Sequence, residues 1–212
     1  NGQLGEGGAF LWLGGAAGLG ASGTALNADW YAEANQASAE LGKTVAAAGD
    51  VDGDGYADVI VGAPGYDDPT AEEGAAFLWL GGPSDLGANG SPANADWTVE
   101  SNQAGARFGA AVATAGDING DGFADLLVGA PDYDAGQVDE GRAHLYLGDP
   151  GGPAAAASWT GESNQALAGF GNAVAAGGDF NGDGFGDVLI GAWVHDNGQA
   201  NEGRAYAFHG YG

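Results

Sequence analysis

Three nine-residue segments place oxygen-bearing side chains at alternating positions between glycines. They run from Asp50 to Asp58, from Asp117 to Asp125 and from Asp179 to Asp187, and are called loops 1, 2 and 3. Each has Asp at positions 1, 5 and 9, Asp or Asn at position 3, and Gly at positions 4 and 6. Alternate side chains of a tightly curled loop can all point inward, and glycine permits the positive φ angles that such a curl requires. The pattern predicts a hard-cation site in each loop.

Calcium suits these loops because it takes six to eight oxygen ligands at about 2.3–2.6 Å, whereas magnesium prefers strict octahedral geometry and keeps more of its water. Position 7 is aromatic, so we expect its main-chain carbonyl to be the ligand. Position 12 is apolar, where an EF-hand has its closing acid, so position 9 must supply the last carboxylate and a strand follows the loop. The predicted ligands of three calcium ions are Asp50, Asp52, Asp54, Tyr56 and Asp58; Asp117, Asn119, Asp121, Phe123 and Asp125; and Asp179, Asn181, Asp183, Phe185 and Asp187.

A simpler explanation of the loops is that Asp-Gly and Asn-Gly mark tight hairpin turns that bind no metal. A two-residue turn needs only one such pair, whereas each loop repeats four oxygen side chains in register. Carboxylates packed within a few ångströms would also repel one another strongly without a counter-cation. The metal interpretation is therefore preferred.

The composition excludes several classes of partner. The 212 residues carry a formal net charge of −25 with only four Lys and Arg side chains, and nucleic acids and anionic membranes require a positive surface. There is no cysteine, and no apolar run approaches the roughly 20 residues that span a bilayer. We therefore expect neither nucleic-acid binding nor membrane insertion. Weak calcium loops fill at millimolar calcium, so we expect an extracellular, secreted or cell-surface protein.

The loops belong to longer internal repeats, each of which reads as four short strands separated by glycine and proline. The second strand is apolar without alternation, which indicates burial on both faces, and the fourth is a polar, tryptophan-bearing edge strand. No segment has a helical period long enough for a helix. The predicted first strands are 43–48, 110–115 and 172–177; the second strands are 58–62, 125–129 and 187–191; the third strands are 75–80, 142–147 and 204–208; the fourth is centred on 97–100.

Four-stranded repeats with buried inner strands are typical of the antiparallel blades of an all-β propeller, with a stacked solenoid as the competing fold. We expect one domain or part-propeller over residues 1–212, in units of approximately 1–40 (partial), 41–107, 108–169 and 170–212 (partial). In blade order the chain supplies strands 3-4, 1-2-3-4, 1-2-3-4 and 1-2-3, about three and a quarter blades. A ring this small would pack too tightly, so we expect either self-association as a dimer or the remaining blades of a larger propeller.

One compound motif resembles a known family. It consists of Phe108-Gly109, loop 2, and the run 126–131 that ends in Gly-Ala-Pro, and all three units carry a version of it. It is similar to the FG-GAP repeat of integrin α-subunit propellers and their bacterial relatives. The resemblance implies that each loop joins the first two strands of a blade and binds calcium. Leu41 in place of the phenylalanine and Trp193 in place of the proline depart from the pattern.

Two kinds of binding function follow from this pattern, and an enzyme is the third alternative. The preferred one is a non-enzymatic module that presents loops to a protein ligand in adhesion. The alternative is a lectin-like glycan-binding propeller, because a Trp-x-x-Glu-x-Asn-Gln-Ala pattern occurs three times, starting at Trp30, Trp97 and Trp159. These tryptophans could instead pack between blades while Asn and Gln bind turn backbones. Catalysis has little support, because His144, His195 and His209 have no repeated acid–base partner beside them.

Overall fold

The computed structural model describes residues 2–16, 18–20 and 22–211, and over these residues the chain is built almost entirely of β-strands. Two 3-10 turns, Ala25–Asn27 and Pro92–Asn94, interrupt them. No helix in the described residues is long and apolar enough to cross a bilayer. The strands are β1 (Ala9–Leu11), β2 (Trp30–Ala32), β3 (Thr44–Gly49), β4 (Asp58–Ala63), β5 (Ala75–Trp79), β6 (Pro83–Leu86), β7 (Trp97–Glu100), β8 (Ala111–Gly116), β9 (Asp125–Ala130), β10 (Arg142–Tyr146), β11 (Trp159–Glu162), β12 (Phe170–Gly178), β13 (Asp187–Ala192) and β14 (Arg204–His209).

These strands form four antiparallel sheets in the order that the repeats predict. The sheets are β1-β2, β3-β4-β5-β7, β8-β9-β10-β11 and β12-β13-β14, called blades 0, 1, 2 and 3. Their strand content confirms the predicted inventory and the propeller-type fold class, with β7 and β11 as the expected edge strands. The strand β6 lies in the connection between the third and fourth strands of blade 1 and was not predicted from the sequence.

The apolar core lies between successive blades, because each central strand sends alternate side chains to opposite neighbours. In β4, Val61 packs toward blade 0 while Ile60 packs toward blade 2, and both are fully buried. The same alternation makes β9 buried along its whole length. This confirms the prediction of second strands buried on both faces for β4 and β9, whereas Leu189 and Gly191 of β13 are only partly buried.

The residues of the Phe-Gly and Gly-Ala-Pro segments meet where one blade joins the next. Phe108 and Phe170 are fully buried, and each forms a parallel bridge to the glycine that precedes the third strand of the preceding blade. Leu41 is 2% exposed and does the same from blade 1, so it replaces phenylalanine without loss of burial. A Cβ on Gly62 would collide with the backbone carbonyl of Gly109, so only glycine fits there. The motif thus holds adjacent blades in contact.

Candidate metal loops

The three loops connect the first to the second strand of blades 1, 2 and 3, and the same hydrogen bonds shape each of them. The position 1 carboxylate accepts the N–H groups of the glycines at positions 4 and 6; in loop 1, Asp50 accepts them from Gly53 at 2.8 Å and Gly55 at 2.9 Å. The corresponding bonds in loops 2 and 3 are 2.6–3.0 Å long. The position 5 carboxylate accepts the N–H of position 7. These bonds curl the loop around its own acidic side chains.

The position 9 aspartates are buried and fasten each loop to its blade. Asp58 accepts the N–H of Val51 at 2.7 Å and that of Gly81, beyond the third strand, at 2.8 Å. Asp125 and Asp187 repeat both bonds in their own blades. All three side chains are at most 1% exposed. Position 9 is therefore fixed by the fold.

Loop 1 brings together most of its predicted ligands. Asp50, Asp52 and Asp58 each offer a carboxylate oxygen, and these three oxygens lie within 4.8 Å of one another. Among the described residues this is the only group of three or more acidic or histidine side chains that meet so closely, and Asp54 lies outside it. Carboxylate oxygens are the ligands that calcium prefers, so this donor set fits a calcium ion.

Loops 2 and 3 differ from loop 1 because asparagine occupies position 3. The Nδ2 group of Asn119 donates to Oδ2 of Asp121 at 2.7 Å, and its Oδ1 accepts the Asp121 N–H at 3.2 Å. Asn181 and Asp183 form the same pair of contacts. The amide therefore binds the position 5 carboxylate, whereas we predicted an inward-pointing ligand oxygen. The ligand sets of these two loops remain predictions.

The pKa values of the position 9 carboxyls reflect their burial, the hydrogen bonds they accept and the charges nearby. Burial raises the pKa of Asp58 and raises that of Asp125 to about 6, against the hydrogen bonds they accept, and the other aspartates of each loop raise them further. Burial would also raise the pKa of Asp187, but hydrogen bonds from the Phe180 and Gly210 N–H groups and from His209 lower it overall. A bound cation would relieve the repulsion in loops 1 and 2.

His209 is a neighbour of loop 3 that the sequence analysis missed. Its Nδ1 lies 3.2 Å from Oδ1 of Asp187, at the end of β14. Leu80 and Leu147 occupy the same place in the other repeats, so the available signal was a break in the repeat pattern.

The repeated Asn-Gln pair that suggested sugar binding has a structural role. In each copy the glutamine donates its Nε2 to a backbone carbonyl of the next blade and accepts an N–H of the same residue. Gln103 makes these bonds with Asp134 at 3.1 and 2.6 Å, and the other pairs are Gln36 with Asp67 and Gln165 with Asp196. The preceding asparagines have φ angles of 54–56°, the left-handed region that asparagine tolerates best after glycine.

The repeated tryptophans are packed between blades. Trp30 and Trp97 are 3% and 8% exposed, and Trp30 meets Trp79 edge to face at 5.3 Å between ring centroids. Trp97 meets Tyr146 in the same way at 5.0 Å, and Trp159, which is more exposed, meets Phe208 at 4.9 Å. Burial of two of the three rings favours the packing explanation over a sugar-binding plane.

Comparison with known proteins agrees with this geometry. The FG-GAP repeat model matches residues 42–79, 108–146 and 170–208. The chain is 38% identical over 166 residues to integrin alpha-PS2 of Drosophila melanogaster, covering 71% of this chain and 11% of that protein. It is 28% identical over 192 residues to integrin alpha-5 of Xenopus laevis, covering 86% of this chain and 17% of that protein. It is 33% identical over 182 residues to phosphatidylinositol-glycan-specific phospholipase D of Rattus norvegicus, covering 82% of this chain and 21% of that protein.

The fold and its loops are those of an integrin-like propeller built from repeated blades. The chain belongs to the FG-GAP repeat family, as all three matched segments require. It spans about a tenth to a fifth of the length of these relatives.

Proposed function

We propose that this chain is a calcium-binding propeller module that acts outside the cell as a non-enzymatic binding surface for a protein ligand. The observation that carries the proposal is the convergence of Asp50, Asp52 and Asp58 within 4.8 Å, in a loop whose backbone hydrogen bonds recur in loops 2 and 3. The predicted ligands are the oxygens at positions 1, 3, 5, 7 and 9 of each loop.

When bound, calcium would neutralise the loop carboxylates and favour the folded state. Each occupied site contributes about 2.7 kcal/mol when free calcium is a hundredfold above its dissociation constant. Three such sites would rival the whole stability of an ordinary domain. Loops of this kind fill at the calcium concentrations found outside cells, which supports the extracellular assignment.

A non-enzymatic role is supported by the likeness to integrin alpha chains and by the environment of the histidines. His144 lies among aromatic rings, with ring centroids 5.1 Å from Phe108 and 5.9 Å from Tyr133. His195 is buried against Tyr206, and His209 faces loop 3. One relative is a phospholipase by name, but the matched segment is 21% of that protein. We therefore assign no reaction to this chain.

The test of the metal assignment is the thermal stability of Asp121→Ala in saturating calcium and in chelator. We expect a larger loss of Tm in calcium than in chelator, because the hydrogen bonds that Asp121 accepts from Phe123 and Asn119 are lost in both buffers, whereas a calcium ligand is lost only when the ion is present. Glu202→Ala, an exposed carboxylate outside the loops, is the matched control and should behave as the parent in both buffers. Equal loss in both buffers for Asp121→Ala would refute the assignment at loop 2.

A further inference from the structure

The three loops are joined to one another by backbone hydrogen bonds between blades. The N–H of Ala124, at position 8 of loop 2, donates to the carbonyl of Asp50, at position 1 of loop 1, at 2.9 Å. The N–H of Gly186, at position 8 of loop 3, donates to the carbonyl of Asp117, at position 1 of loop 2, also at 2.9 Å. The same connection therefore occurs at both junctions.

The peptide group that makes this connection is also part of the predicted metal site. The carbonyl of position 7 and the N–H of position 8 belong to one peptide unit. That carbonyl is the predicted main-chain ligand of its own loop, while the N–H holds the residue whose carboxylate is a predicted ligand of the preceding loop. Hydrogen-bonded groups polarise one another, so a cation on the carbonyl strengthens the N–H as a donor. Occupancy of one loop thereby helps to position a ligand residue of the preceding loop.

A packing contact accompanies each of these hydrogen bonds. The Phe123 ring, from position 7 of loop 2, lies against the glycine at position 4 of loop 1: its Cε1 is 2.5 Å from where a Cβ on Gly53 would be. Phe185 lies against Gly120 of loop 2 in the same way, at 2.8 Å. Both glycines have positive φ angles, 78° and 74°, and so lie within the curl of their loops. A change in the curl of one loop must move the ring of the next.

We propose that calcium binds the three loops with positive cooperativity, with loop 2 as the link between loops 1 and 3. The proposal rests on the calcium-binding function above. Loop 2 contacts both neighbours, whereas no hydrogen bond in the described part of the chain joins loop 1 to loop 3. Filling loop 2 therefore raises the calcium affinity of both other loops, and the coupling between loops 1 and 3 passes through it.

The experiment is a calcium titration followed by NMR at the backbone amides of Gly55, Gly122 and Gly184. These glycines occupy position 6, and their N–H groups donate to the position 1 carboxylate of their own loop, so each amide reports one loop. In Asp121→Ala we expect the midpoints at Gly55 and Gly184 to rise by about fivefold or more. In Asp54→Ala the midpoint at Gly122 should rise as well, because the coupling free energy between two sites is reciprocal. The change at Gly184 should then be smaller.

Two ring variants test the coupling without removing any side-chain ligand. Phe123→Ala should weaken calcium binding at loop 1 and Phe185→Ala at loop 2, and each serves as the control for the other junction. If Asp121→Ala does not fold, these two variants still test the coupling between the loops. If the three glycine amides titrate in the parent and no variant changes the midpoint of a neighbouring loop, the coupling is overturned while the calcium function stands. Glycine amides that do not respond to calcium at all would instead refute the proposed function.

Discussion

His144 should make the stability of this protein fall between neutral and mildly acidic pH. Its side chain is packed among Phe108, Tyr133 and Tyr146, and its Nε2 is buried without a hydrogen-bond partner among the described residues. Burial, together with the nearby Arg142 charge, lowers the pKa of His144 from 6.5 to about 4. The folded protein therefore holds a neutral imidazole over a pH range in which the unfolded chain would be protonated.

The sign and size of the effect follow from these two pKa values. Between them the unfolded state binds more protons, so the free energy of unfolding falls as the pH falls from 6.5 toward 4. One pKa unit corresponds to about 1.4 kcal/mol, so His144 removes roughly 2 kcal/mol of stability at pH 5 relative to pH 8. Below the pKa of His144 in the folded protein, this loss of stability does not increase further.

The perturbation that isolates this effect is His144→Phe. Phe77 occupies the same register position in the preceding repeat, so a phenylalanine fits this packing. Urea unfolding of parent and variant in saturating calcium at pH 8 and at pH 5 gives two stability differences, and contributions of the carboxylates cancel between the proteins. We expect the variant's advantage to be about 2 kcal/mol larger at pH 5.

Tyr206→Phe is the matched control, since it places the same phenylalanine at the equivalent position of blade 3 without removing an imidazole. Its stability relative to the parent should not depend on pH in this range. If His144→Phe changes stability by the same amount at both pH values, the argument from burial is wrong.

Three further predictions concern the glutamine pairs, the tryptophans and the assembly. Gln103→Ala loses two hydrogen bonds to the Asp134 backbone and should lower the free energy of unfolding by about 1–3 kcal/mol in urea denaturation. An unchanged free energy of unfolding would contradict the structural role of this glutamine. Trp97→Ala should destabilise by about 3–5 kcal/mol because the ring is buried against Tyr146, whereas a stable variant that loses binding to a glycan array would establish the lectin alternative. Light scattering of this 212-residue chain in calcium should give a dimer if two copies share one ring, and a stable monomer would contradict self-association.

The loops and the order of strands could be predicted from the sequence because local rules determine them. Glycines at positions 4 and 6 mark the curl, and the apolar residue at position 12 marks the strand that follows. The predicted first strand 43–48 is displaced by one residue from β3 (Thr44–Gly49), and β12 (Phe170–Gly178) extends beyond the predicted 172–177 at both ends. These differences arise because hydrogen bonding to the neighbouring strand, which a single segment does not encode, sets strand ends.

The contacts between blades could be predicted only in kind: tryptophan packing between blades and binding of Asn and Gln to turn backbones were among the alternatives, but the partners of these residues were not identified. Gln103 binds the backbone of Asp134. Because almost every residue has the same backbone groups, the residue type at position 134 does not reveal this contact. The available signal was the constant spacing in sequence, because the glutamine and its partner are 31 residues apart in all three pairs. The hydrogen bond from the Ala124 N–H to the Asp50 carbonyl also cannot be recognised in the sequence, since any residue but proline has the required N–H. The three sites can therefore be recognised in the sequence, but the particular residues that link them cannot.

The residues that recur in every repeat are largely occupied in building the propeller, so we expect the proposed protein ligand to contact residues that differ between blades. Blades 1 and 2 illustrate such a difference at one register position. In blade 2, Arg142 pairs with Glu162 at 2.6 Å and lies 4.7 Å from the Tyr133 ring centroid. In blade 1 the residue opposite Glu100 is Ala75, so that carboxylate has no such cation; burial and nearby acidic groups raise the pKa of Glu100. The same scaffold thus presents different charge on adjacent blades, and substitutions at such non-repeated positions are where a search for the ligand surface should begin.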